Sequence, residues 1–89
     1  MKVKFYSFGN ECSGNLVHSF ELAGETYFII RARNPYGSHN LVMVNDPDHV
    51  AFLHGNGAVL AFLAKYGLFR SIGRIARYIP FKFEVESNV

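Results

Sequence analysis

Arg70, Arg74 and Arg77 recur at intervals of four and three residues, the spacing of this sequence with the clearest chemical consequence. At the helical angle of about 100° per residue they fall within about 60° of one another, forming a ridge roughly 10 Å long. Such a ridge matches two or three phosphate spacings on a nucleic-acid strand, and guanidinium pairs bidentately with phosphate or carboxylate. Lys65-Tyr66 and Arg77-Tyr78 each set a ring beside a cation, an arrangement suited to stacking on bases or packing across a protein interface. Lys82 extends the basic segment, and Arg31 and Arg33 project from an alternating stretch toward solvent or a partner. The plain alternative is a solvated face of an amphipathic helix. No acid occurs between Lys65 and Lys82, whereas a purely solvated helix more often mixes Glu with Lys.

The remaining reactive side chains are not grouped. Cys12 is the single cysteine, and no spacing pairs it with His18, His39, His49 or His54 as a nucleophile with its base. His49 and His54 are five residues apart, which separates them on a helix and argues against a metal pair. Asp46 and Asp48 are explained by starting a helix rather than by acid–base work. His54-Gly55-Asn56-Gly57 could offer backbone N–H groups to an anion, but a plain inter-helix turn accounts for it more economically. Neither GxxxxGK[ST] nor GxGxxG occurs, so no cofactor or nucleotide is expected.

One short segment carries a family resemblance. Arg33-Asn34-Pro35-Tyr36-Gly37-Ser38-His39, followed by an apolar stretch, resembles the Gly-Ser-His segment of HicA-type RNA-cleaving toxins. The resemblance covers the tripeptide and implies a catalytic role for His39. The chain departs from that family at its N-terminus, which reads as strand where those toxins have a helix.

The elements that must position these groups follow from hydrophobic period. Val3 and Phe5 alternate with Lys2 and Lys4, which predicts a first strand over 1–8. Gly9 to Asn15 reads as a loop by its Gly and Asn content. Leu16–Leu22 places Leu16, His18, Phe20 and Leu22 on one face, and Ala23-Gly24-Glu25 turns the chain into a strand over 26–33. There Phe28, Ile30 and Ala32 are expected in the core, with Tyr27, Ile29, Arg31 and Arg33 on the other face. Asn34-Pro35-Tyr36-Gly37 is a β-turn sequence, and Leu41–Val44, apolar on both faces, is expected as a central strand.

Asp46-Pro47-Asp48 predicts a helix start, running to about His54. A second helix is expected over 58–66, ended by Gly67. In the third, Leu68, Phe69, Ile72, Ile75, Ala76 and Ile79 lie within about 120° of one another, opposite the arginines, until Pro80 stops it. Phe81–Glu86 alternates as a last strand. The expected fold is a single α+β domain over 1–89: a mainly antiparallel sheet with three helices before its final strand, packed on one face. Phe5, Phe20, Phe28, Ile30, Val44, Phe62, Ile72, Ile75, Ile79 and Phe83 are the expected core.

Composition bounds the rest. A chain of 89 residues, of which 16% are aromatic, fills one core and is too apolar for disorder. The net charge of +2 is unevenly placed: residues 1–64 hold four Lys/Arg against five Asp/Glu, and residues 65–89 hold five against two. The single cysteine suits a reducing compartment, the N-terminus lacks a secretory pattern, and the longest apolar run is too short to span a membrane, so the cytoplasm of a bacterium or host cell is expected. The 58–64 helix is apolar around its circumference. Either it is wedged between the sheet and the arginine helix, or Leu60, Leu63 and Tyr66 meet another protein or a second copy of the chain.

The expected function is stoichiometric docking on a larger protein or nucleoprotein, as a non-enzymatic inhibitor or adaptor. Small phage- or mobile-element-encoded inhibitors of host machinery fit this size. The alternative is a nucleic-acid-binding module built on Arg70, Arg74 and Arg77, and the HicA-like RNA-cleaving reading with His39 stands behind both.

Overall fold

The computed structural model describes residues 1–33, 36–45 and 48–78. Five strands run in chain order: β1 (Lys2–Ser7), β2 (Asn10–Leu22), β3 (Glu25–Arg33), β4 (His39–Asn45) and β5 (Val50–His54). Each pairs antiparallel with the next, and β1 closes a barrel by a short parallel contact to β5, Tyr6 opposite Val50. Two helices follow, α1 (Asn56–Lys65) and α2 (Phe69–Ile75), and a 3₁₀ turn spans Ala76–Tyr78. The α+β class and the mainly antiparallel sheet are those expected. The element order is not, because five strands precede the helices. The strand expected over Phe81–Glu86, with Ile79, Lys82 and Phe83, lies outside the described residues.

Two hairpins are built by two-residue turns. Phe8-Gly9 and Ala23-Gly24 both have positive φ at each central residue, matching the right-handed twist of the strands they join. The Ala23-Gly24 turn stands where the sequence predicts it. The Gly9–Asn15 loop does not: from Asn10 onward this segment is the first half of β2. Gly14 is there because β3 passes too close for a side chain, so its loop-like composition reflects a packing constraint.

The barrel has an inner and an outer apolar face. Phe5, Ile30, Ala32, Val42 and Val44 fill the interior. Ile29, Leu41 and Met43 point the other way and meet Val59, Leu60, Leu63 and Ile75 from the helices. Both faces of Leu41–Val44 are therefore buried, as its unbroken apolar run predicts. Of the expected core, Phe5, Ile30, Val44 and Ile75 are buried, and Phe20, Phe28, Phe62 and Ile72 are half-buried. Ile29, expected on the non-core face, is fully buried, because the helices supply a second core there.

A bulge at Val17 changes the face of β2. Leu16 pairs with Ile30 and enters the barrel, while His18 pairs with Ile29 on the helix side. One extra residue thus separates two positions the simple alternation puts together.

The expected helix over 46–54 is β5 in the structure. Ala51 packs into the barrel and Leu53 on the helix side, registering with Val44 and Met43 across a second bulge. Pairing with β4 outweighs the capping signals of Asp46-Pro47-Asp48, of which Asp46 and Pro47 lie outside the described residues. A cap contributes about 1 kcal/mol, less than a strand that completes a sheet.

Asn56 secures the passage from β5 to α1. Its buried Oδ1 accepts the Leu41 backbone N–H at 2.9 Å, and the Gly55 N–H donates to the Leu41 carbonyl at 2.8 Å. The amide side chain thereby continues the β4 pairing by one residue, and α1 starts two residues earlier than its apolar pattern indicates. Gly67 ends α1 as expected, its N–H donating to the Ala64 carbonyl.

The third helix is shorter than predicted. Its α-helical part stops at Ile75 and tightens to 3₁₀ geometry. Phe69 and Ala76, expected on the buried face, are exposed, while Ser71 is buried against β2.

Candidate functional site

α1 is buried along Val59, Leu60 and Leu63 and exposed at Ala58, Ala61 and Ala64. Of the two readings of its apolar circumference, the wedge is the one the structure adopts. Leu60 and Leu63 pack inside the chain's own core, which corrects the interface role expected of them. The exposed aromatic surface of α1 lies at its C-terminal end.

There a row of rings crosses the sheet and the helix. Phe20 of β2 stacks on Tyr27 of β3 with centroids 5.3 Å apart. Tyr27 meets Phe52 of β5 edge-on at 5.8 Å, and both contact Phe62 of α1. Phe62 in turn touches Tyr66 at 4.7 Å. Phe52 and Tyr66 remain 43% and 48% exposed despite these contacts. The row is polar at both margins: Lys65 Nζ lies 5.5 Å from the Tyr66 ring, while Tyr27 and Asn45 each donate to Glu25 Oε1. Tyr66 and Lys65 are legible in the sequence. Phe52 is not, because its segment carries the signals of a helix; the excess of aromatics is the signal that could have found it.

The arginines form a second feature. Arg70, Arg74 and Arg77 are exposed, and among the described residues none of them forms an ion pair. Arg74 and Arg77 line one hollow of about 280 Å³ with Val17, His18 and Gly73. Arg77 also lies over the half-buried Tyr78 ring at 5.1 Å. Arg70 is not brought into that hollow.

His18 connects the hollow to the core. Its Nε2 is 2.9 Å from the buried Ser71 Oγ, and its ring stacks on Phe20. Burial, and then the nearby Arg74 charge, hold its pKa below the usual histidine value. A depressed folded-state pKa means that stability is full above the unfolded value of about 6.5 and is lost as pH falls through the folded one. Thermal melts below pH 6.5 are therefore expected to decline, and His18→Gln, which can still hydrogen-bond Ser71, to flatten that decline. Superimposable profiles for the two proteins would remove His18 as the cause.

Arg31 and Arg33 stand at the far end of β3, paired with Leu41 and His39. Arg31 is half-buried, and its Nε has no hydrogen-bond partner among the described residues; Arg33 is exposed. Burial, then Arg31 and Arg33, lower the His39 pKa and bias it toward the neutral form. His39 opens β4. Among the described residues no group of three or more His, Cys, Asp or Glu side chains could hold a metal, and no helix is long and apolar enough to cross a membrane.

No family model matches this chain, and neither a curated protein nor a solved structure matches it, so the functional reading rests on the geometry.

Proposed function

We propose that this chain is a small binding protein that docks stoichiometrically on a larger protein or nucleoprotein, with the aromatic row as its anchor. The observation that carries the reading is the exposure of Phe52 and Tyr66 within a mutually packed set of rings. Rings held by their neighbours lose little entropy on binding, and aromatic residues dominate the energetics of protein interfaces. Lys65 beside Tyr66 and the basic segment that follows suit a partner surface with an acidic rim.

The test is affinity capture from nuclease-treated lysate, followed by titration of the purified partner. A 1:1 complex is expected. Phe52→Ala with Tyr66→Ala is expected to weaken it by at least about 2 kcal/mol, roughly 30-fold in Kd, while circular dichroism stays unchanged. A complex that survives this double change with full affinity rejects the row as the anchor.

Arg74 and Arg77, outside any ion pair among the described residues and facing one hollow, favour a second reading as a nucleic-acid-binding module. For that reading, replacing Arg70, Arg74 and Arg77 by Ala is expected to leave melting nearly untouched. It should lower the salt slope of duplex binding by about 0.9 for each phosphate that an arginine no longer neutralises. An unchanged slope would make the ridge a solvated face.

A further inference from the structure

The end of the barrel away from the aromatic row is open. A cavity of about 560 Å³ sits there, within the range of roughly 300–1,000 Å³ usual for small-molecule sites. Its floor is the barrel interior itself: Phe5, Ala32 and Val42, with the half-buried Cys12 beside them. Asn10, Ser13 and Asn40 complete the wall.

Phe8 on the rim is not explained by folding. It is 90% exposed, so it contributes almost nothing to a core. It also takes φ of 52° at the first central position of the β1–β2 turn, where Asn, Asp or Gly is strongly preferred. Among the described residues its one ring contact is with His54, stacked at 5.3 Å and 16° across the mouth. A large ring kept in an unfavourable backbone conformation, in water and over an apolar cavity, is placed to cover something flat.

Charge at this mouth has one sign. Arg33 lines the cavity, and among the described residues no Asp or Glu does. Glu11, next to the wall residues in sequence, falls on the outer face by strand alternation and pairs there with Lys4 at 3.4 Å.

We propose that the barrel mouth binds a small amphipathic anion, an aromatic or apolar body bearing one carboxylate, with the body on the Phe5–Ala32–Val42 floor under Phe8 and the carboxylate at Arg33. A cationic ligand finds no counter-charge there among the described residues, and a purely polar one leaves the floor uncovered. This site is separate from the aromatic row and does not depend on the docking reading.

Phenylacetate is the probe, with phenylacetamide as its neutral isostere and acetate as the charge without the body. Binding is read from amide shifts in a titration of the whole chain and from the alkylation rate of Cys12, the single cysteine and hence an unambiguous reporter. Phenylacetate is expected to give saturable shifts at Cys12, Ala32, Arg33 and Val42 and to slow Cys12 alkylation. Phenylacetamide should bind about tenfold more weakly, as loss of a charge-assisted hydrogen bond requires, and acetate should not saturate. Arg33→Gln should bring phenylacetate down to the affinity of the amide. Phe8→Asn should weaken both aromatic probes while leaving the melting temperature equal to or above that of the unchanged protein, because Asn suits the turn. The proposal is overturned if phenylacetate gives no saturable shifts up to about 10 mM, the weak limit for so small a ligand. Shifts confined to the aromatic row, or equal affinity for acid and amide, overturn it as well.

Discussion

Replacing Gly14 by alanine is expected to lower the melting temperature by about 10 °C, corresponding to roughly 2 kcal/mol of overpacking in a chain of this size. A Cβ at position 14 would stand 2.6 Å from Ile30 Cγ2, 2.7 Å from the Arg31 carbonyl oxygen and 3.1 Å from Ala32 Cβ. Ile30 is fully buried inside the barrel, and the Arg31 oxygen is backbone. The strands must separate, and the interior loosens with them. Gly73→Ala supplies the opposite sign. Its Cβ meets nothing within 4 Å on the exposed side of α2, so the change should stabilise by about 0.5–1 kcal/mol through backbone entropy. If Gly14→Ala melts with the unchanged protein, β2 does not cross β3 at this distance and the barrel is not closed in this way.

Leu63→Asp is expected to unfold the chain altogether. Leu63 is 0% exposed and packs between the sheet's outer face and Ile75. Truncating such a leucine to alanine costs about 2–5 kcal/mol, and an unpaired carboxylate adds a desolvation penalty of several more. Together these reach the whole of a typical domain stability of about 5–15 kcal/mol. Ala61→Glu, two residues earlier on the exposed side of α1, should shift stability by less than about 0.5 kcal/mol. The two variants, followed by chemical denaturation, separate a core helix from an interface helix. A folded Leu63→Asp monomer that had merely lost a partner would return α1 to the interface role.

α1 shows why composition is ambiguous there. Every residue from Ala58 to Ala64 is apolar, but Ala and Leu differ in how much area they withdraw from water. The structure turns the alanines out and the leucines in, so the helix is amphipathic in side-chain size where it is uniform in polarity. Weighing volume as well as hydropathy favours the wedge.

The binding features differ in the same way. Arg70, Arg74 and Arg77 are visible because a helical period is local: it needs only neighbours within two turns. The aromatic row assembles Phe20, Tyr27, Phe52, Phe62 and Tyr66 from strands and a helix far apart in the chain, and no spacing announces it. The barrel mouth is less legible still. It brings Phe8 to His54 and Cys12 to Val42 through closure, and Phe8 by itself reads as one more apolar residue near a glycine.

By itself the sequence determined an α+β chain with an Ala23-Gly24 hairpin, a β4 buried on both faces, a basic helix after Gly67 and no disulfide within the chain. These rest on period, turn chemistry and residue type, all of which act over a few residues. Only tertiary structure decided that residues 50–54 form a strand, that the Val17 bulge sends Leu16 and His18 to opposite faces, and that β1 meets β5 to close the barrel. In each case a local preference of about 1 kcal/mol met pairing partners distant in sequence, whose combined burial and hydrogen bonding outweighed it. Closure also leaves one end of the barrel lined by apolar side chains, so the candidate ligand cavity is a consequence of topology and not of any motif.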